Sequence, residues 1–281
     1  METNNLVLNK LFTQYIFRDL IERNNNATYG KIVQRYVQDS IAKNNGEIIS
    51  EIYNFMSKSY RNEYFYLNTL LNKLLLKKHS LTALTQIPIG KSKADFILIN
   101  GKATVYEIKS ELDSFDRLET QLRDYFRAFN HVCVVTSEGN YEKLSDMLHG
   151  TPVGICVLTK RNTISSILKK EAVEDNSCLE HRAIFKVLHK REYESIIKKC
   201  FGSLPTASQV FYYDECLACF MDIPLLEAYS MALKELKKRN RIIQNQFQEV
   251  PYELKSLMYF SAPSSEDYDG LSSFLNEKYR G

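Results

Sequence analysis

Three short apolar runs follow one another between residues 83 and 109, and they restrict the fold more than any other feature of the chain. Their sequences are ALTQIPI (83–89), ADFILIN (94–100) and ATVYEIK (103–109), separated by GKSK and NGK. Runs of this length, bounded by glycine-containing turns, predict β-strands. Further strand patterns alternate with helical patterns, in the order helix 114–129, strand 131–136, helix 140–149, strand 153–159 and strand 163–168. The sequence therefore predicts an α/β fold with a mixed central sheet flanked by helices.

Helical patterns precede and follow this core, because apolar residues recur there at spacings of three and four. The strongest pattern covers residues 61–79. We divide the chain into a helical N-terminal region (1–58), a core (59–172) and a helical C-terminal region (173–281). The tail after residue 250 is rich in proline, serine and acids, and we expect it to be loosely structured.

The bulk composition is that of an ordinary soluble protein. The 281 residues carry 37 basic and 34 acidic side chains, a net charge of +3. That balance neither requires nor excludes a nucleic-acid partner. There is no signal-peptide pattern and no apolar run of membrane-spanning length, and the six cysteines lie far apart. We therefore expect a cytoplasmic protein with free thiols and no membrane association.

Charged residues interrupt the second and third strands, although charges are unfavourable in strands unless they have a partner or a role. Glu107 and Lys109 share one face of their strand, because side chains alternate. The face of Asp95 depends on the turn. A two-residue turn at Asn100 and Gly101 would place Asp95 opposite Tyr106, and so on the other face from Glu107.

A three-residue loop brings the two acids together. In one form, Leu98 faces Lys102 and Asp95 lies diagonally beside Glu107. In the other form, residues 100–102 make the loop and Asp95 lies directly opposite Glu107. We predict a three-residue loop or an equivalent bulge, with Gly101 at positive φ.

Two carboxylates on adjacent strands repel each other unless a cation lies between them. Hard oxygen ligands of this kind suit Mg²⁺ or Mn²⁺, with water and substrate phosphate completing the coordination. Lys109 could orient an attacking water or help to deprotonate it. The cluster therefore predicts phosphodiester hydrolysis. The alternative is an edge hairpin with a cross-strand ion pair and no chemical role.

A polar row on the following helix extends this cluster. Arg117, Gln121 and Tyr125 recur every four residues, so they lie along one helix face that could reach a nucleic-acid backbone. An ordinary solvated face with a half-buried tyrosine is the alternative. The basic run at 234–241, which includes Lys237 and Lys238, is a second candidate phosphate contact, although a solvated helix end explains it nearly as well.

The order of Asp95, then Glu107-Ile108-Lys109, then the helix sequence QLRDY (121–125) resembles the PD-(D/E)xK nuclease superfamily, specifically its RecB-like branch with a QxxxY helix motif. The chain is also similar to a small group of uncharacterised bacterial stand-alone proteins with a YEIKS motif, here at 106–110. The resemblance covers residues 60–160. It departs from the pattern at Ala94, which replaces the proline before Asp95.

The resemblance implies a restriction-endonuclease-like core and a role for each motif residue. Asp95, Glu107 and the backbone carbonyl of Ile108 would be metal ligands. Lys109 would position the nucleophilic water. Gln121 and Tyr125 would order the site or contact substrate phosphate.

Many superfamily members also place a glutamate on the preceding helix. Glu63 is the best match in this chain, and Glu51 is the weaker alternative. The resemblance implies a Mg²⁺- or Mn²⁺-dependent deoxyribonuclease with DNA as its partner and a homodimer as one candidate assembly. Two other interpretations stay open. One is a nuclease-fold module that binds nucleic acid or protein without cleavage, and the other is a helical interaction protein.

Overall fold

A computed structural model describes residues 5–23, 26–75, 81–239, 242 and 244–281. These residues belong to two compact units. The first unit comprises Met1–Lys77, Ser110–Leu112 and Arg241–Gly281, and the second comprises Lys78–Lys109 and Asp113–Asn240. The three-part division at residues 58 and 172 stays a prediction.

The helices differ in length and are distributed over both units. In chain order they are α1 (Leu8–Leu11), α2 (Gln14–Arg23), α3 (Ala27–Tyr36), α4 (Asn45–Ser59), α5 (Glu63–Leu70), α6 (Leu118–Phe126), α7 (Tyr141–Met147), α8 (His181–Val187), α9 (Lys190–Phe201), α10 (Tyr212–Met221), α11 (Leu225–Lys237), α12 (Gln244–Glu249), α13 (Lys255–Phe260) and α14 (Ser265–Asn276). A π-helical turn, Leu71–Leu75, continues α5. Of the helix predicted over 61–79, residues 61 and 62 precede α5, and residues 76–79 lie outside the described residues. None of the described helices combines the length and apolar composition needed to span a bilayer.

The second unit is built on a mixed sheet, which has six strands among the described residues. The strands are β1 (Thr82–Ile89), β2 (Ser92–Asn100), β3 (Lys102–Lys109), β4 (Val132–Ser137), β5 (Gly154–Leu158) and β6 (Ile164–Lys170). They lie side by side in chain order. β1, β2 and β3 are antiparallel, β3, β4 and β5 are parallel, and β6 is antiparallel to β5. The predicted α/β fold with a mixed sheet flanked by helices is confirmed.

One face of the sheet packs against helices of the second unit to form an apolar core. Its members include Ile97, Ile99, Val105, Val134 and Val157 from the strands, and Leu118, Leu122, Phe126, Phe185 and Phe220 from the helices. The side chains of β3 alternate between the two faces, so Glu107 shares the face of Val105. A buried carboxylate thus lies at the border of an apolar core, on the side covered by α6.

Two predictions about the helices are wrong. The helix predicted from residue 114 begins at Leu118, because the Ser114 hydroxyl bonds locally to Asp116 and does not cap a helix. The tail after residue 250 is helical where we expected loose structure. Ser264 and Asp267 form a reciprocal capping box at the start of α14. Within the first unit, α14 packs on α2 and α4 through its buried apolar residues.

Candidate active site

The turn between β2 and β3 sets the positions of the charged residues. Ile99 pairs with Ala103, so residues 100–102 form the loop, and Gly101 has φ of 74°. The predicted three-residue loop with Gly101 at positive φ is confirmed. Its second form is the one observed, since Leu98 pairs with Thr104 and not with Lys102. This register directs Asp95 and Glu107 to the same face of the sheet.

At the other end of the hairpin, β2 separates from β3. Their paired register extends from Asn100↔Lys102 to Phe96↔Tyr106, whereas β2 stays paired with β1 as far as Ser92. The half-buried Asp95 lies where the pairing ends. Its Oδ2 accepts the backbone N–H of Ile108 at 2.8 Å. A side chain of β2 therefore takes a backbone donor of β3 where the ladder between the two strands ends.

Glu107 is the buried centre of the cluster, with only 1% of its surface exposed. Its Oε1 lies 3.0 Å from the Lys109 ammonium and accepts the Gln121 amide at 2.5 Å. Its Oε2 accepts the Tyr125 hydroxyl at 2.6 Å. A buried carboxylate is tolerated only when it is paired and hydrogen-bonded, and each oxygen of Glu107 meets that condition.

Lys109 is buried, with 8% of its surface exposed. Hydrogen bonds hold both its side chain and its backbone. Its Nζ donates to Gln121 Oε1 at 2.9 Å, so the Gln121 amide bridges Lys109 and Glu107. Its backbone carbonyl accepts the Thr136 hydroxyl of β4 at 2.8 Å. These contacts fix both the backbone and the ammonium of Lys109.

Tyr125 is fully buried, and its hydroxyl lies between two acceptors. Glu107 Oε2 is 2.6 Å away and the backbone carbonyl of Lys93 is 3.0 Å away. One hydroxyl proton serves one acceptor at a time, and the nearer, charged carboxylate is the stronger one. Burial and the neighbouring charge of Glu107 raise the pKa of Tyr125 well above its ordinary value of 10.0. The hydroxyl therefore stays a neutral donor at physiological pH.

Sequence reasoning did not assign a role to Asp124, which clamps the β1–β2 turn onto α6. Its Oδ2 accepts the backbone N–H of Lys91 at 3.0 Å and the hydroxyl of Ser92 at 2.7 Å. Gly90 adopts φ of 61°, and a Cβ there would lie 2.5 Å from Asp124 Oδ1. The glycine between two strand runs was a turn signal, but nothing in the sequence identified its partner 34 residues later.

Two of the other predicted residues belong to the first unit, and Arg117 flanks α6. Glu63 lies in the first turn of α5 and belongs to the first unit, so its role as a ligand stays a prediction. Glu51 pairs with Lys43 within that same unit. Arg117 precedes α6 as its N-terminal flanking residue and is exposed one helical turn before Gln121.

Lys237 and Lys238 lie near the turn end of the sheet. The carbonyl of Lys237 accepts the hydroxyl of Thr82, which pairs with Ile99 beside the turn. Along β3, Lys109 lies six residues, or ~20 Å, from the position that pairs with Ile99. The Lys238 ammonium bonds to Glu235 at 2.6 Å. Any phosphate contact by this basic run would therefore be remote from the carboxylate cluster.

The donor set of the cluster suits a hydrated divalent cation. Asp95 and Glu107 present carboxylates on one face, and within the described ranges no three His, Cys, Asp or Glu side chains converge as a metal cage. Mg²⁺ is usually held by one or two carboxylates, with waters and substrate phosphate completing its octahedron. The residues present fit that mode of binding, and the carbonyl of Ile108 stays a predicted third ligand. They do not provide the four ligands of a structural zinc site.

The chain matches the model of a known protein family. The family described as bacteriophage P4 protein cII matches residues 56–262. The chain belongs to this family. The matched segment includes all six strands of the sheet and every member of the cluster around Glu107. No curated protein and no solved structure matches the chain.

Proposed function

We propose that this member of the P4 cII family is a Mg²⁺-dependent nuclease that hydrolyses phosphodiester bonds of DNA. The observation that carries the proposal is the assembly of Asp95, Glu107 and Lys109 on one face, at the point where β2 and β3 separate. The three-residue turn produces this arrangement, and Gln121 and Tyr125 complete it from α6. Lys109, Gln121 and Tyr125 thus converge on the carboxylate of Glu107, and Asp95 lies on the same face.

A restriction-endonuclease-like core of the PD-(D/E)xK type is part of the proposal. Three antiparallel strands, a helix, a parallel strand, a helix and a second parallel strand follow one another in the second unit. The motif residues occupy the second and third strands and the first of these helices. This correspondence between motif and topology supports the proposed fold.

Each residue of the cluster has a defined task in hydrolysis. Bound at the two carboxylates, Mg²⁺ would polarise the scissile phosphate and lower the pKa of a bound water. The Lys109 ammonium orients the attacking water and faces the negative charge that develops on the phosphate. Gln121 and Tyr125 hold the Glu107 carboxylate in one orientation. DNA as partner, a homodimer and a cytoplasmic location belong to the same proposal.

A specific observation favours the second candidate, a nuclease-fold module that binds nucleic acid or protein without cleavage. Glu107 is already satisfied by Lys109, Gln121 and Tyr125, so the cluster is complete as a buried polar network. Such a network can fix the position of α6 on the sheet without any chemistry. Only an assay with metal separates the two functions.

The deciding experiment measures cleavage of circular and linear DNA with Mg²⁺, Mn²⁺ or EDTA. Wild type should cleave in either metal and not in EDTA, while Lys109→Met should cleave poorly although it keeps the length of the side chain. Lys102→Met is the matched control, since this lysine lies in the turn of the same hairpin. Calorimetry with Mn²⁺ should show weaker binding for Asp95→Asn and Glu107→Gln. Metal affinity unchanged in both variants would contradict the site, and absence of cleavage by wild type would favour the binding module.

A further inference from the structure

Lys93 is an exposed lysine on β2, close in sequence to Asp95, that the nuclease motif does not include. It lies on β2 two residues before Asp95, so both side chains leave the same face of the strand. Their Cα atoms are separated by ~7 Å along the strand. Glu107 and Lys109 leave the corresponding face of the neighbouring strand β3. A second lysine therefore accompanies the two carboxylates.

The backbone of Lys93 is fixed although its side chain is exposed. Its carbonyl lies 3.0 Å from the Tyr125 hydroxyl, which also bonds to Glu107. It pairs with Pro88 of β1. The two residues before it are held by the buried carboxylate of Asp124. Contacts thus hold the backbone of Lys93, while its side chain is exposed to solvent.

The charge of Lys93 is available to a ligand. Lys109 is neutralised by Glu107 at 3.0 Å, whereas in the described part of the chain Lys93 makes no ion pair. An exposed ammonium on the same face as two carboxylates favours an anion that can approach both the lysine and a cation held by the acids. A nucleic-acid backbone carries such anions at regular intervals.

We propose that Lys93 binds a DNA phosphate adjacent to the one that is cleaved. This inference rests on the proposed nuclease function and adds a substrate contact to it. Because the contacted phosphate does not react, the contact has the same strength in the ground state and in the transition state. Its loss should therefore raise KM and leave kcat nearly unchanged.

The test compares Lys93→Gln with Lys102→Gln, the exposed lysine at the turn end of the same hairpin. Binding of a duplex oligonucleotide is measured in EDTA over a range of salt concentrations. Loss of one phosphate contact should lower the slope of log K against log salt by about 0.9 for Lys93→Gln. The slope should be unchanged for Lys102→Gln and restored in Lys93→Arg. In Mg²⁺, Lys93→Gln should raise KM by roughly 5-fold with kcat within about 2-fold of wild type.

The outcomes separate this inference from the proposed function. If wild type cleaves DNA but Lys93→Gln keeps the wild-type salt slope and KM, the Lys93 contact is wrong and the nuclease stands. An equal loss of slope in Lys102→Gln also overturns it, because the effect would then be one of general surface charge. If Lys93→Gln lowers kcat and leaves KM unchanged, Lys93 does not act as a binding contact. If wild type neither binds nor cleaves DNA, the nuclease proposal and the contact fall together.

Discussion

The two ends of the β2–β3 hairpin are held together by different kinds of hydrogen bond. At the turn end the strands stay paired through Asn100↔Lys102, and Ile99, Ala103 and Val105 are buried beside them. At the open end the pairing stops after Phe96↔Tyr106, and side-chain hydrogen bonds replace the backbone ladder. The turn end therefore maintains the register, and the open end uses that register to position charges. Mutations at the two ends should therefore separate stability from activity.

The largest expected effect is that of Glu107→Gln at the open end. The substitution keeps the shape of the side chain but removes a metal ligand and leaves the buried Lys109 ammonium without its ionic partner. Cleavage should fall roughly 1,000-fold, equivalent to about 4 kcal/mol of transition-state stabilisation. Unfolding free energy should fall by about 3 kcal/mol. Single-turnover cleavage and denaturant unfolding measure the two effects.

Ile99→Val is the matched change at the turn end. It should cost about 1 kcal/mol of stability and leave the cleavage rate unchanged. The double variant Glu107→Gln with Lys109→Met removes both charges, so it should regain part of the lost stability without regaining cleavage. A wild-type cleavage rate in Glu107→Gln would contradict the assignment of activity to the open end and of register to the turn end.

Two glycines provide the next comparison, since both have positive φ but different surroundings. Gly90→Ala places a Cβ 2.5 Å from Asp124 Oδ1, whereas Gly101→Ala meets nothing within 4 Å. Gly90→Ala should destabilise by roughly 3 kcal/mol and reduce cleavage, because the turn must move away from α6. Gly101→Ala should cost only about 1–2 kcal/mol, the strain of the left-handed conformation. Equal losses of stability in the two variants would show that Asp124 does not clamp the turn.

The sequence predicted the parts of this architecture that depend on short-range pattern. The strand bounds differ from those predicted by one or two residues, since alternation and glycine turns are local signals. The odd-length loop followed from one constraint, that Asp95 and Glu107 must share a face. The contact of Asp124 with Gly90 depends on how α6 lies on the sheet, and no local signal encodes that orientation.

The two errors in helix position have a common physical cause. Ser114 is a plausible helix cap by residue type, and the composition after residue 250 predicts loose structure, but both effects depend on local hydrogen bonds. Ser114 bonds to Asp116 and does not cap a helix, while Ser264 bonds to the N–H of Asp267 and does. Both serines precede acids. Buried apolar residues follow both serines, so the difference lies in the partner that each hydroxyl bonds.

A smaller effect is expected for Tyr125→Phe, which removes one hydroxyl and leaves the rest of the open end in place. Glu107 Oε2 would lose the donor at 2.6 Å while staying buried. Unfolding free energy should fall by about 2 kcal/mol, the usual contribution of a hydrogen bond to a charged group. Cleavage should fall about 10-fold, because the carboxylate loses one of the contacts that orient it. An unchanged cleavage rate would show that Gln121 and Lys109 suffice to orient Glu107.

The smallest expected effect is the pH dependence of the difference in unfolding free energy between wild type and Tyr125→Phe. The direction of the pKa shift of Tyr125 determines its sign. Burial and the charge of Glu107 raise the pKa of the folded state above the value of 10.0 expected in the unfolded chain. The hydroxyl therefore contributes its full stabilisation below pH 10, and the contribution decreases as the pH rises further, because only the unfolded chain then releases the proton. The stability difference between wild type and Tyr125→Phe should narrow above pH 10 by up to about 1.4 kcal/mol per pH unit. Denaturant unfolding from pH 8 to pH 11 measures it, with Tyr15→Phe, at a 75% exposed position, as the control. A difference that stays constant over this range would mean that Tyr125 does not hold its proton for Glu107, and the open end would then depend on Lys109 and Gln121 alone.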